Sequence, residues 1–196
     1  MKQNKCFTFG VGFTFLSLFT FFTFSAPVWA ADEKIEQQRT DIRKMVDETL
    51  ERLYKTQPAA EKVIRKAAGY AVFSNFGLKI LFTGGGTGKG LAVDNKTGKN
   101  TYMKMVEVQA GLGMGVKKFR LIWVFEYKSD LESFINSGWE FGGQGTVAAQ
   151  ASGQGGAFAG AISIKPGVWL YQLTDDGLAL ELTAKGTKYY KDDNLN

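Results

Sequence analysis

Glycine at alternate positions is the feature that most constrains how this chain can fold. It occupies every second position in residues 86–90 and again in residues 111–115. An interior glycine weakens a strand unless a bend, a bulge or a close backbone approach requires it. Because alternate residues of a strand share a face, one face of each segment would carry no side chains. This pattern predicts either a curved or closed sheet whose bends need glycine, or a bare groove where another backbone or an acyl chain can lie.

The segment Thr83–Gly90 also resembles a phosphate-binding P-loop. That motif has a glycine, four further residues and then Gly-Lys-Ser/Thr at a helix start, so that backbone N–H groups and a hydroxyl can hold phosphate and magnesium. Here the first position is Thr83 and Gly90 replaces the final hydroxyl residue. The next residues, Leu91–Asp94, are typical of a strand that leads into a turn. The sequence therefore predicts a hairpin with Lys89 on its surface and no nucleotide site.

The first 30 residues have the composition of a secretory leader. Lys2 and Lys5 precede an apolar run over Phe7–Phe24, and Val28–Ala30 suits a signal-peptidase site. We expect cleavage before Ala31 and an exported chain, periplasmic or secreted and peripheral to a membrane. The alternative is an uncleaved anchor, because about 18 mostly apolar residues can span a bilayer. Loss of the two lysines lowers the formal charge from +5 to +3, which does not indicate nucleic-acid binding.

The available side chains restrict the chemistry. The chain has no His, and its one cysteine, Cys6, lies in the leader. Zinc, copper and haem sites mostly use these ligands, and Ser-His-Asp and Cys-His catalysis require them. We therefore predict no metal, no cofactor and no enzymatic activity. Carboxylate catalysis is the alternative, and its candidates flank apolar runs or lie in a turn: Glu107, Glu126, Glu140, Asp175 and Asp176.

Hydrophobic periodicity predicts helices first and strands afterwards. Apolar residues at steps of three and four indicate a helix over residues 33–56, and Pro58 suits the start of a second helix that ends at Gly69. Mixed charges on the first helix favour docking on its own domain over lying on a bilayer. A capping box at Ser129–Glu132 predicts a third helix that ends at Gly138. The predicted strands are residues 70–73, 77–82, 86–94, 101–108, 121–125, 168–173 and 178–183.

These elements predict a single α+β domain. The N-terminal helices, in residues 31–68, pack on a strongly curved, mainly antiparallel, Gly-rich β-sheet or partial barrel formed by residues 69–190. Residues 191–196 are expected to form a polar tail. The continuous apolar run Leu121–Phe125 is the best candidate for a central strand buried on both faces.

Three blocks of this chain resemble the SYLF domain, a lipid-binding module of eukaryotic membrane-traffic and actin-patch proteins and of secreted bacterial proteins. The blocks are Ala67–Phe73 with Gly84–Val93, Val108–Gly115 with Leu121–Phe125 and Leu131–Phe134, and Val168–Gly186. The resemblance covers residues 38–190 and implies binding of phosphoinositide or another anionic phospholipid. For some fungal relatives it also implies actin binding, which an exported chain would not encounter. Relatives often carry Trp-Ser-x-Pro where this chain has Asn100–Lys104.

Two basic clusters are candidates for attracting an anionic headgroup. They are Lys62, Arg65 and Lys66 on the second predicted helix, and Lys117, Lys118 and Arg120 before the central strand. Each Lys or Arg near an anionic surface contributes about 1 kcal/mol. The alternative for both clusters, which the sequence alone favours, is ordinary solvated charge. We expect a non-enzymatic domain that binds anionic phospholipid or a membrane surface, and no nucleotide or nucleic acid. The alternative is an envelope structural or protein-interaction module without lipid specificity.

Overall fold

The computed structural model describes residues 28–80, 83–110, 115–141, 158–175, 177–179 and 186–196. These residues form three helices: α1 (Val28–Thr56), α2 (Ala59–Lys66) and α3 (Lys128–Ser137). They also form nine strands: β1 (Gly69–Ile80), β2 (Thr83–Asp94), β3 (Asn100–Ala110), β4 (Gly115–Phe125), β5 (Trp139–Phe141), β6 (Ile162–Lys165), β7 (Val168–Thr174), β8 (Gly177–Ala179) and β9 (Thr187–Lys191). Most of the predicted leader lies outside the described residues.

The strands form one antiparallel sheet that curls into a half-barrel. Its order is β5-β9-β3-β2-β1-β4-β7-β6, and β8 pairs with β7. The long strand β1 lies near the centre, paired with β2 on one side and β4 on the other. The predicted α+β architecture, with N-terminal helices on a strongly curved antiparallel sheet, is confirmed.

Each face of the sheet buries its own core. Val72 and Ile122 lie on the outer face, where they pack with α1 and α2. Phe73 and Trp123, one residue further along the same strands, lie on the inner face with α3. Leu121–Phe125 is buried at every position, as the sequence predicts for a central strand.

The glycines of β2 make room for side chains from the neighbouring strands. A Cβ atom on Gly88 would lie 2.5 Å from Cγ of Met105, and one on Gly90 would overlap the Phe73 ring. Phe73 and Met105 belong to the flanking strands β1 and β3, and both are buried. The bare face predicted for residues 86–90 is therefore filled from within the domain. Glycine serves close packing here, and residues 111–114 of the second glycine stretch lie outside the described residues.

The predicted role of Gly69 as a helix terminator is wrong. α2 ends at Lys66, and Ala67 already has extended backbone angles. Gly69 is instead the first residue of β1, where it pairs with Asp94 and Phe125. It has to be small because a Cβ atom there would lie 2.6 Å from Cδ2 of Leu131. The strands predicted at residues 70–73 and 77–82 are likewise joined in the single strand β1.

The start of α3 also differs from the prediction. The N-cap residue is Tyr127, and no side chain caps the helix, so the capping box at Ser129–Glu132 is not formed. The end of α3 is as predicted, because Gly138 adopts a positive φ of 67°. Leu131 and Phe134 are buried and join this helix to the inner core.

The last residues of the chain pack against the sheet. Residues 187–191 form β9, which pairs with β3 and β5. In the segment expected as a polar tail, the side chains of Asp192 and Leu195 are buried. The Asn196 side chain accepts a hydrogen bond from the backbone N–H of Tyr102 and donates one to its carbonyl. This segment therefore continues the ordered edge of the sheet.

We expect Gly90→Ala to lower the free energy of unfolding by about 1–3 kcal/mol, the usual cost of overpacking a core. The added methyl group would overlap the Phe73 ring and the carbonyl oxygen of Val72. Gly85→Ala on the same strand is the matched control, because among the described atoms a Cβ there meets only the carbonyl oxygen of Glu107, at 3.5 Å. Urea unfolding of the two variants measures the difference. Equal midpoints would contradict the close-packing role of β2.

Candidate anion-binding site

A row of polar and basic side chains crosses the outer face of the sheet. Ser74 on β1 pairs with Arg120 on β4 and with Lys89 on β2, and Lys89 pairs with Lys104 on β3. Directly opposed residues of antiparallel strands project to the same face. The row lies two residues beyond Val72, which belongs to the core beneath α1. The polar row therefore begins where the helix-covered core of the sheet ends.

A cavity of about 280 Å³ lies at the β4 end of this row. We call it the arginine cavity. Among the described residues that line it, three are cationic and one is acidic; these residues are Arg52, Ser74, Lys118, Phe119, Arg120, Leu173, Thr174 and Asp175. Its charge therefore favours an anionic ligand.

Arg120 has the most unusual environment of the cations in the arginine cavity. Its Nη1 atom is buried and has no hydrogen-bond partner among the described residues. A buried donor left unsatisfied costs about 1–3 kcal/mol, and more when it is charged. Such a group in a native structure calls for an explanation, such as an ion at that position or a functional role. An anion in the cavity would supply the acceptor that Nη1 lacks.

Arg52 is oriented toward the same cavity by the turn that follows β7. Its Nη2 atom donates to the carbonyl oxygens of Thr174 and, at 3.1 Å, of Asp175. Both acceptors are neutral carbonyls, so these bonds orient the guanidinium without neutralising its charge. Lys118 lies two residues before Arg120 on β4, so its side chain projects to the same face.

The other end of the row lies beneath α1. The Lys89 ammonium donates to Oε1 of Gln38 on α1 at 3.1 Å, and Lys104 forms a 2.7 Å ion pair with the buried carboxylate of Asp192. Gln38 is neutral, so that bond does not offset the charge of Lys89, whereas Asp192 neutralises Lys104. Lys89 is exposed within a continuous strand, as predicted, and no helix follows it to complete a P-loop.

The structure gathers part of the cluster predicted before the central strand. Lys118 and Arg120 both line the arginine cavity. The backbone of Lys117 pairs with Gly77, but its side chain lies outside the described residues. Sequence reasoning did not identify Arg52 or Ser74. Arg52 lies 122 residues from its partner Thr174, so no local sequence pattern could connect the two.

The second predicted cluster lies apart from the cavity. Lys62, Arg65 and Lys66 are exposed on α2, and none of them lines the arginine cavity. Glu61 pairs with Arg65 at 2.9 Å, and its hydrogen bond raises the pKa of Arg65. This local pair offsets part of the positive charge on α2.

The carboxylates considered for catalysis do not converge. Glu126 is exposed and accepts a 3.0 Å hydrogen bond from Nε1 of Trp169. Glu140 pairs with Lys188 at 2.6 Å. In the strand register, buried Glu107 pairs with Thr187 of β9 and Glu140 pairs with Lys188 of β9. Because Thr187 and Lys188 are consecutive, Glu107 and Glu140 project to opposite faces of the sheet. Asp175 borders the arginine cavity, and Asp176 lies outside the described residues.

The fold and the site together define a half-barrel α+β domain with a cationic cavity at the edge of its helix-covered core. The chain is 35% identical over 161 residues to Beta cell expansion factor A of Aeromonas veronii. The match covers 82% of this chain and 59% of the relative, so the chain spans less than two thirds of that protein's length. No family model matches the chain.

Among the helices of the described residues, none is both long and apolar enough to cross a membrane.

We expect Arg120→Met to leave the protein at least as stable as the wild type in anion-free buffer, because the change removes a buried donor that has no partner among the described residues. Arg43→Met is the matched control, since Nη1 of Arg43 donates to the Tyr102 hydroxyl at 2.8 Å. Loss of that bond should cost about 1 kcal/mol. Denaturant unfolding of both variants checks the contrast. An equal loss in the two variants would make Arg120 a structural residue and contradict its assignment to an anion site.

Proposed function

We propose that this domain binds anionic phospholipid at a membrane surface, without catalysis, through Arg52, Lys118 and Arg120. The observation that carries the proposal is the buried Nη1 atom of Arg120, which has no acceptor within the described residues and lies beside two further cations. Guanidinium groups match phosphate in geometry, and hydrogen bonds between ionised groups are about twice as strong as neutral ones. A phosphate headgroup would satisfy Arg120 and balance the charge of the cavity.

Packing on the inner face supports recognition of the headgroup alone. Phe73, Trp123, Phe134 and Tyr189 form an aromatic cluster there, with ring centroids between 4.9 and 6.1 Å apart. All four rings are buried and occupy space on this face that an extracted acyl chain would need. In the proposed mode, the acyl chains stay in the bilayer while the headgroup enters the arginine cavity.

Two features of the sequence support the same proposal. The three blocks that resemble the SYLF domain imply binding of anionic phospholipid, and the leader-like first 30 residues fit a periplasmic or secreted domain of this type. The name of the relative, a factor for beta cell expansion, describes an effect on cells and specifies neither a lipid nor a protein partner. It therefore leaves open the alternative of an envelope structural or protein-interaction module.

Vesicle sedimentation tests the proposal. We expect the protein to pellet with phosphatidylcholine vesicles that contain phosphatidylglycerol and to stay in solution with phosphatidylcholine alone. Three cations at about 1 kcal/mol each imply a loss of roughly a hundredfold in affinity for the triple variant Arg52→Gln, Lys118→Gln, Arg120→Gln. The charge-matched control is Lys44→Gln, Lys55→Gln, Lys128→Gln, which removes three exposed lysines that pair with glutamates.

The outcomes separate three accounts. A large loss in the cavity variant and a small loss in the control support the proposal. Equal losses in both would indicate diffuse electrostatic attraction and contradict a defined site. Negligible pelleting with either vesicle would overturn lipid binding, and cross-linking of the exported chain in envelope extract would then test for a protein partner. A further triple variant, Lys62→Gln, Arg65→Gln, Lys66→Gln, measures what the α2 cluster adds.

A further inference from the structure

The arginine cavity is one of three cavities that share the lining residue Ser74. A second cavity of about 470 Å³ lies over β2 and β3, and Ser74 lines both cavities. A third, of about 290 Å³, lies between α1 and the sheet, and Ser74 and Lys89 line it together with Ile42 and Met45 of α1. Ser74 lines all three cavities, which places them along the row of paired residues across β4, β1 and β2. We call the three cavities together the groove.

This groove has two cationic poles. At one end, the Arg120 guanidinium has a buried nitrogen without an acceptor in the described part of the chain. At the other end, the hydrogen bond described for Lys89 goes to the neutral side-chain amide of Gln38. Lys104 does not form a third pole, because Asp192 neutralises it. One exposed carboxylate lines a cavity at each pole, Asp175 with Arg120 and Asp41 with Lys89. Lys89 also lines the second cavity, whose described lining has no carboxylate.

The pairing register sets the distance between the poles. Arg120 and Lys89 pair with the same residue, Ser74, from opposite sides. Their Cα atoms are therefore two strand spacings apart, which is roughly 10 Å at 4.7–4.9 Å per strand. Side chains that project straight out from these two positions keep this separation, which an elongated molecule with a phosphate at each end can span.

We propose that the groove binds an elongated ligand that carries two phosphate-type anionic groups roughly 10 Å apart, one at Arg120 and one at Lys89. Ser74 lies midway between Arg120 and Lys89, and its hydroxyl contacts the part of the ligand that joins the two anionic groups. The Arg120 end of this inference rests on the proposed function. The ligand is either a lipid headgroup with two anionic groups or a soluble bis-phosphorylated molecule, since both present the same chemistry to the groove.

Bisphosphates with linkers of different length test this spacing with the mature protein. The probes are hexanediol bisphosphate, ethanediol bisphosphate and hexyl monophosphate, measured by isothermal titration calorimetry. Binding of the first phosphate raises the effective concentration of the second only when the linker spans both sites. We expect hexanediol bisphosphate to bind at least tenfold more tightly than either of the other probes.

Substitution of either pole should abolish that length preference. Arg120→Gln and Lys89→Gln are each expected to reduce the affinity for hexanediol bisphosphate to that of the monophosphate. Lys89→Arg should retain the preference, and Lys128→Gln on α3 is the control for loss of one positive charge. Equal affinities for the two bisphosphates, or a Lys89→Gln variant that binds like the wild type, would overturn the inference.

Vesicles distinguish failure of this inference from failure of the proposed function. Pelleting that requires Arg120 but not Lys89, without any length preference, would keep phospholipid binding and overturn the two-anion groove. A length preference without vesicle binding would support the groove and assign it to a soluble ligand. Displacement of hexanediol bisphosphate by anionic vesicles would support the groove and assign it to a lipid headgroup.

Discussion

The packing of Phe73 and Met105 against the glycines of β2 is the contact on which the rest of this structure depends. It closes the inner core, because a side chain at Gly88 or Gly90 would occupy the same space. It also fixes the direction of Lys89: the residue between two inward-facing positions must point outward. The alternation of glycine and lysine in residues 88–90 thus lets β2 pack closely against the inner core and places a cation on the outer face.

The position of the candidate site follows from where α1 crosses the sheet. Val72 is covered by the helix and belongs to the outer core. The next position on that face is Ser74, where the apolar core gives way to the polar row and its cavities. α1 also carries Arg52 to the carbonyl groups of the turn after β7, so the helix that buries the core supplies a cation at its margin. Stability and the proposed binding chemistry therefore share the same elements.

The sequence predicts those features that depend on local periodicity. The buried run Leu121–Phe125 indicates a central strand, and the order of helices and strands indicates helices on a curved antiparallel sheet; both are confirmed. Features that depend on distant partners could not be predicted. In the sequence, Gly69 resembles a helix terminator, but a larger residue at this position would collide with Leu131. Arg52 resembles ordinary solvated charge, and its contact with the turn after β7 is visible only in the folded structure. Half of the site, Lys118 and Arg120, is visible as a basic cluster, whereas Arg52 and Ser74 join it only through the fold.

The central claim is that an anionic headgroup binds at Arg120 rather than at basic surface in general. Side-chain NMR of the arginine Nε–H groups, with the protein titrated by nanodiscs containing phosphatidylglycerol, tests this claim most directly. The account predicts that the Arg120 and Arg52 resonances shift together and saturate, while those of Arg43 and Arg65 stay in place. Shifts at Arg65 on α2 with none at Arg120, or no shifts at any arginine, would contradict it.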